Sequence, residues 1–226
     1  PDAEPEQSAP PLSQLFWDFL LPIVYADEMP MTRSLDRWVP RPEELDEYRQ
    51  TIGLLLQSAA DEEIKRSKLD SRYKEIFQHL VPSTALIESC WRQFVVEGDQ
   101  VTYLRSTAGS VGIMQINQYV WRGFYNVDRL RWEIPYNIRA GSQILMHYLT
   151  QYGMAVADKN GNPDYASRST YSVYNAGPRA ARRFMKQNSS PREKRVDGRF
   201  WDIYQGIEAG GTVDLTECDV DTVEVP

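Results

Sequence analysis

The chain has 226 residues, of which 42% are hydrophobic and 25% are charged, values close to those of ordinary globular proteins. This composition excludes collagen-like, wholly disordered and disulfide-packed miniature proteins, and the length allows one or two domains with a sizeable core. The net charge of −7 argues against a nucleic-acid partner, because such partners are usually met by basic surfaces.

The acidity is concentrated at the two ends of the chain. Three acids before residue 7 and six after residue 207 together carry −9, which leaves the residues between them at +2. Charge distributions of this kind are typical of solvated tails around a folded middle. We therefore expect a flexible Pro-rich linker over residues 1–12 and an acidic tail over residues 208–226.

The chain starts at Pro1 rather than at methionine, which we interpret as the loss of an upstream segment by processing or by design. Whether that segment held a signal peptide or a lipid anchor stays open. The longest apolar run, residues 12–25, contains polar residues and a proline and is shorter than a bilayer span requires.

Apolar residues recur at three- and four-residue intervals along most of the chain, the pattern of amphipathic helices. The fold class is therefore mainly α, with a helical extension over residues 13–82, a second domain over residues 83–207 and a possible short β hairpin of which residues 100–105 would form an arm. Helices are expected over residues 12–23, 40–60, 61–80, 82–91, 136–152 with a stop at Gly153, 165–174, 178–186 and 191–208.

The chain has two histidines and two cysteines, and none of their spacings is typical of a metal site. His79 and His147 both lie in predicted amphipathic helices, where a packed or surface histidine is more common than a catalytic one. We predict no metal site and no histidine-dependent nucleophile.

Glu88 is the first candidate for chemistry, because it lies in an apolar helix beside Leu86, Ile87 and Trp91. Loss of hydration there would raise the pKa of its carboxyl group, as a general acid requires at neutral pH. The alternative is that Glu88 is half-exposed and has only a structural role, as a helix-capping residue or as one partner of an ion pair. Two further segments, residues 110–117 and 174–178, are each ordinary turns when taken alone.

Taken in order, these segments resemble the soluble lytic transglycosylase family over residues 83–204. The resemblance rests on five features in chain order: Glu88-Ser89, Ser106 six residues before Gly112, the block Gly112-Ile113-Met114-Gln115-Ile116, Asn137 with Gly141, and Tyr174-Asn175-Ala176-Gly177-Pro178.

The resemblance implies a lysozyme-like (goose-type) helical catalytic domain and a peptidoglycan substrate, with no cofactor. Glu88 would act first as acid and then as base, cleaving the bond between N-acetylmuramic acid and N-acetylglucosamine and leaving a 1,6-anhydromuramoyl end. The substrate-binding residues that it implies are Ser106, Met114, Gln115, Tyr174, Asn175 and, in a Glu-Lys-Arg segment where the family often has Glu-Thr-Arg, Glu193.

The chain departs from the family pattern in a longer segment between Glu88 and Ser106, so residues 95–104 are expected to form an insertion beside the cleft. The resemblance also implies a periplasmic or cell-envelope location in a bacterium and a monomer. A cell-envelope protein could bind the N-terminal extension. Two other functions stay open: hydrolysis on the same fold, and peptidoglycan binding without catalysis.

Two features remain outside the family pattern. Cys90 and Cys218 either form a disulfide that ties the acidic tail to the helix of Glu88 or are unrelated thiols. The second feature is a basic stretch that is either a solvated helix face or a surface attracting anionic wall polymers, and it comprises Arg179, Arg182, Arg183, Lys186, Arg192, Lys194, Arg195 and Arg199.

Overall fold

A computed structural model describes residues 35–213 and Leu215. The described chain is mainly α-helical, as predicted, with two small antiparallel sheets. The predicted linker, the predicted helix over residues 12–23 and most of the acidic tail lie outside the described residues. The helices are α1 (Leu45–Ser67), α2 (Ser71–Ser89), α3 (Gln118–Trp121), α4 (Val127–Trp132), α5 (Ile134–Tyr148), α6 (Met154–Asn160), α7 (Asp164–Ala176) and α8 (Pro191–Glu208), and the strands are β1 (Phe94–Glu97), β2 (Gln100–Tyr103), β3 (Ser110–Val111) and β4 (Ile116–Asn117).

The first two long helices meet later in the chain than predicted. Helix α1 continues past residue 61 and ends at Ser67, where the C-cap residue Lys68 has a left-handed φ of 52°. Asp70 then caps α2 by accepting the backbone N–H of Arg72 at 3.0 Å. The predicted break at residue 61 is wrong because the true stop is made by a left-handed residue and an aspartate cap, not by a change in composition.

No helix begins at Pro82, contrary to the prediction. Pro82 lies inside α2, where it removes one backbone hydrogen bond. The helix passes through it because the residues on both sides are fully buried, among them Leu80, Val81 and Ala85. The indole N–H of Trp91 also donates to the carbonyl of Pro82 at 2.9 Å. Glu88 is therefore carried by a long helix anchored over several turns.

The sequence predicted that a helix ends at Gly153, and this prediction is wrong. Helix α5 passes into a π-helical segment, Leu149–Gly153, which leads directly into α6. A Cβ at Gly153 would lie 2.3 Å from Oγ1 of Thr170 on α7. This glycine thus permits close contact between two helical segments.

The predicted helix over residues 178–186 is also absent. Two 3₁₀ turns, Pro178–Ala180 and Arg183–Met185, take its place after Gly177, whose φ is 80°. Arg183, the first residue of the second turn, is buried, so both interpretations of the basic stretch as exposed are wrong for this residue. The turns direct its side chain inward.

The predicted hairpin is confirmed: β1 pairs with β2, with Phe94 opposite Tyr103 and Glu97 opposite Gln100. It occupies the segment expected to be an insertion. A shorter pair, β3 with β4, closes the turn that holds the Gly112–Ile116 block.

One hydrophobic core joins the described part of the predicted extension to the rest of the chain. It includes Ile52 and Leu56 of α1 together with Phe77 and Leu80 of α2. The hydroxyl of Tyr48 on α1 donates to the carbonyl of Trp91 at 2.7 Å. The proposed domain boundary at residues 82–83 stays a prediction, and α2 runs across it. None of the helices among the described residues has the length and apolar character needed to cross a bilayer.

Candidate active site

Glu88 lies in the last turn of α2 with only 7% of its surface exposed. Burial raises the pKa of its carboxyl group to about 7, because the ionised form loses the solvation of water. Hydrogen bonds from Tyr171 and Asn175 and the positive charge of Arg183 oppose this rise. The group can therefore be protonated near neutral pH, as a proton donor must be.

Tyr171, on α7, is the first partner of Glu88. Its hydroxyl donates to Oε1 of Glu88 at 3.2 Å, and its ring stacks on Phe200 with centroids 4.1 Å apart and planes 5° from parallel. Burial, and then the charge of Glu88, raise the pKa of Tyr171 well above its usual value. Tyr171 thus stays protonated and serves as a fixed donor to the carboxylate.

Asn175, one turn further along α7, is the second partner of Glu88. Its Oδ1 accepts from Nη1 of Arg183 at 2.9 Å, which leaves its amide N–H groups as the donors toward Glu88. The orientation of this amide is thereby set by a neighbouring cation.

Arg183 is in turn bound by Asp197 of α8. Its Nε donates to Oδ2 at 3.0 Å and its Nη2 to Oδ1 at 2.6 Å, and each side chain is only 6% exposed. Ser172 adds a hydrogen bond to Oδ1 of Asp197 at 3.3 Å. A fork-shaped pair with further hydrogen bonds is the geometry that makes burial of two charges tolerable. A buried network therefore leads from Asp197 through Arg183 and Asn175 to Glu88.

Ser89 connects α2 to the Gly112–Ile116 block. Its hydroxyl lies 2.6 Å from the carbonyl of Ile113 and 3.0 Å from that of Ala85, and the residue is fully buried. The serine that follows Glu88 in the motif is thus a structural contact between the helix and the block.

The block itself is held by two buried amides. Oδ1 of Asn137 accepts from the backbone N–H of Met114 at 2.8 Å, and Oε1 of Gln93 accepts from that of Ile113 at 2.8 Å. A Cβ at Gly112 would lie 2.3 Å from Asn137, so only glycine fits there, at a φ of 73°. The sequence singled out Asn137, but it gave no sign of Gln93.

Met114 does not line an open pocket. Its side chain is fully buried and packs on Gly141 of α5, where a Cβ would lie 2.5 Å from its Cγ. Its backbone carbonyl accepts the hydroxyl of Tyr174 at 2.6 Å. Burial, and then the charge of Glu88, raise the pKa of Tyr174 well above its usual value. Met114 thus positions the Tyr174 ring near Glu88.

Gln115 adopts a left-handed conformation with φ of 46°. Its Nε2 donates to the carbonyl of Gly112 at 2.9 Å, whereas its buried Oε1 has no hydrogen-bond partner among the described residues. A buried acceptor without a partner destabilises the fold, and such groups occur mainly at functional sites. The amide is therefore suited to accept an N–H or O–H from a ligand.

Ser106 and Glu193 have local structural contacts instead of contacts with Glu88. Oγ of Ser106 accepts the backbone N–H of Ser110 at 3.0 Å and closes a turn. Glu193 accepts the backbone N–H of Ser190 at 2.7 Å in the capping box of α8, and these hydrogen bonds lower the pKa of Glu193. The buried acid of α8 is Asp197, one turn further along.

Sequence reasoning did not identify Tyr171, Arg183 or Asp197 as members of the site. Tyr171 had a usable signal, because it lies three residues before Tyr174 and so shares its helix face. Arg183 and Asp197 had none, since both lie in a segment dominated by exposed charges. The other seven cations of the basic stretch are exposed, and their attraction for wall polymers stays a prediction.

Cys90, which follows α2 with φ of 53°, is 3% exposed and is disulfide-bonded. Its predicted partner, Cys218, lies outside the described residues. Among the residues that are described, no group of His, Cys, Asp and Glu is arranged to hold a metal ion.

A buried glutamate with a raised pKa and fixed donors, carried by a helical domain, is the kind of proton donor that lysozyme-like enzymes use. The family comparison agrees with this class. Residues 70–196, more than half of the chain, match the model of the Transglycosylase SLT domain, and the chain belongs to this family of lytic transglycosylases that act on peptidoglycan. No curated protein and no solved structure matches the chain.

Proposed function

We propose that this protein is an active lytic transglycosylase in which Glu88 is the only catalytic carboxyl group. The observation that carries the proposal is the buried Glu88, with a pKa raised to about 7 and two fixed donors, inside the matched family domain. The other carboxylate of the network, Asp197, is buried in an ion pair with Arg183 and has no catalytic role in this proposal.

In the first step, protonated Glu88 donates its proton to the glycosidic oxygen between N-acetylmuramic acid and N-acetylglucosamine. The bond from C1 of the muramoyl residue to that oxygen breaks, and the N-acetylglucosamine side leaves with the proton. The acetamido group of the muramoyl residue stabilises the positive charge that develops at C1. Tyr171 and Asn175 then solvate the Glu88 carboxylate through their hydrogen bonds.

In the second step, the Glu88 carboxylate takes the proton of the muramoyl C6 hydroxyl while that oxygen bonds to C1. The product carries a 1,6-anhydro ring, no water is consumed, and Glu88 is protonated again. Gln115 is the proposed acceptor for a substrate N–H or O–H, because its Oε1 is buried without a partner. Since peptidoglycan is the substrate, we further propose a location in the bacterial periplasm or cell envelope.

The test is digestion of purified peptidoglycan sacculi by the wild type and by Glu88→Gln, with mass spectrometry of the products. Anhydromuramoyl ends from the wild type alone would support the proposal. Reducing ends would instead indicate a hydrolase, and sacculus binding without any product would indicate a non-catalytic binding protein.

A further inference from the structure

A row of four aromatic rings extends from the candidate site to the protein surface. The ring centroids are 6.5 Å apart from Tyr174 to Tyr148, 6.5 Å from Tyr148 to Trp121 and 5.6 Å from Trp121 to Phe124. The first and last pairs contact edge to face, with ring planes 79° and 66° apart, and the Tyr148–Trp121 pair is tilted at 59°. We call Tyr148, Trp121 and Phe124 the outer aromatic row.

The outer aromatic row is partly packed and partly open. Tyr148 and Trp121 pack on the hydrophobic core with one side and keep intermediate exposure, and Phe124 is 38% exposed. Val120, on the same short helix as Trp121, is 64% exposed. Half-open aromatic rings suit a ligand with an apolar face and a polar rim. A pyranose ring has both, in its axial C–H groups and its hydroxyl groups.

Helix α1, which precedes the matched family domain, is connected to the outer aromatic row through hydrogen bonds. Tyr125, whose ring lies 6.0 Å from Trp121, donates its hydroxyl to Oε1 of Gln143 at 3.0 Å. Gln143 also hydrogen-bonds Glu63 of α1, which is buried and paired with Arg66. Rings held in this way lose little conformational freedom when a ligand binds.

We propose that the outer aromatic row binds a sugar ring of the same glycan strand, at a distance from the bond that Glu88 cleaves. The inference rests on the proposed function, and its occupant is the strand itself because the row is continuous with Tyr174 beside Glu88. The row favours long strands over short fragments, since only a strand that fills the site and the row gains both contacts. Helix α1, outside the matched domain, thereby has a role in substrate length preference.

The experiment is calorimetric titration of the full chain carrying Glu88→Gln, so that the strands stay intact, with long peptide-free glycan strands and with tetrasaccharide fragments. Each further substitution is made in this background. Trp121→Ala should weaken binding of long strands by about tenfold, the effect of losing one stacked ring, and leave fragment binding unchanged. Phe124→Ala, at a more exposed position, should shift binding in the same direction without disturbing the fold. Leu54→Ala is the control, because it removes an apolar side chain that is 64% exposed and is not a member of the row.

The outcomes separate this inference from the proposed function. If the wild type forms anhydro ends but both aromatic variants keep the affinity of Glu88→Gln for long strands, the outer row is not a binding site and the catalytic proposal stands. If the wild type binds long strands without cleaving them, and the two variants bind them more weakly, the row stands and the catalytic proposal fails. Equal weakening for strands and fragments, or the same loss in Leu54→Ala, would overturn the length preference.

Discussion

Arg183 and Asp197 form a buried two-point ion pair, and the remaining nitrogen of the same guanidinium holds the side chain of Asn175. Glu88 therefore lies at one end of a network whose other end is a carboxylate on a different helix. This relationship links the stability of the fold to the proton affinity of the candidate catalytic acid.

Substitutions in this ion pair should move the pH dependence of activity in opposite directions. Arg183→Met removes a positive charge that lowers the pKa of Glu88, so the alkaline limb of the pH–rate profile should move to higher pH. Asp197→Asn leaves that charge without its partner, and the limb should move to lower pH. The measurement is the rate of anhydro-end formation against pH.

Arg183→Met should also lower the free energy of unfolding by about 3 to 5 kcal/mol, because it leaves Asp197 buried without its cation. Arg183→Lys serves as the comparison, since it keeps the charge but loses the fork geometry. Parallel shifts of the alkaline limb in Arg183→Met and Asp197→Asn would show that the ion pair does not act on Glu88 through charge.

Tyr171→Phe should raise the pKa of Glu88, because the lost hydroxyl donates to the carboxylate and thereby favours its ionised form. The alkaline limb should move upward while the stacking on Phe200 is kept, with a stability cost of about 1 kcal/mol. Tyr204→Phe is a matched control, since it removes the hydroxyl of another buried tyrosine whose ring also contacts Phe200. A shift of the same size in both variants would contradict a specific role for Tyr171.

Glu88→Gln should become more stable than the wild type as pH rises. In the unfolded chain the Glu88 carboxyl ionises near 4.5, whereas in the folded protein its pKa is about 7. Below pH 4.5 both states hold the proton and the variant should match the wild type. Above pH 7 the wild type must bury a charge that the unfolded chain exposes to water, so the variant should gain up to about 3 kcal/mol.

Denaturant unfolding of both proteins across this pH window gives the difference directly. The other titrating groups are common to the two proteins and largely cancel. A difference that is constant from pH 4.5 to pH 7 would mean that Glu88 does not hold its proton in the folded protein.

Gly141→Ala should destabilise the protein by about 1 to 3 kcal/mol, because the new methyl group would overlap the buried side chain of Met114. Displacement of Met114 should also disturb the carbonyl that Tyr174 binds, so activity should fall more than stability alone explains. Gly198→Ala is the matched control: it lies in α8 with open space around its Cβ position, and it should stabilise the helix slightly. Thermal unfolding together with product release from sacculi measures both effects.

The sequence already contained the helical class, the hairpin and the position of Glu88. Helices follow from apolar spacing within a few turns, and the apolar residues beside Glu88 predicted a raised pKa for its carboxyl group. The burial that raises this pKa comes from tertiary packing, which places Tyr171 of α7 against Glu88. The boundaries were less predictable. Pro82 and Gly153 are usual helix stops, yet burial on both sides of Pro82 and the close approach of Gly153 to Thr170 override those preferences.

Some of the site residues were predicted from the sequence, and others were found only in the tertiary structure. The family resemblance implied that Glu88, Gln115, Tyr174 and Asn175 share a site, and the structure brings Tyr174 and Asn175 close to Glu88. Only the tertiary structure assigned Glu193 to a helix cap and Asp197 to the buried network, and only it turned Arg183 inward from a stretch of exposed cations. Charge and hydrogen-bond partners across separate helices depend on how those helices pack, and packing is a property of the whole core that no local pattern contains.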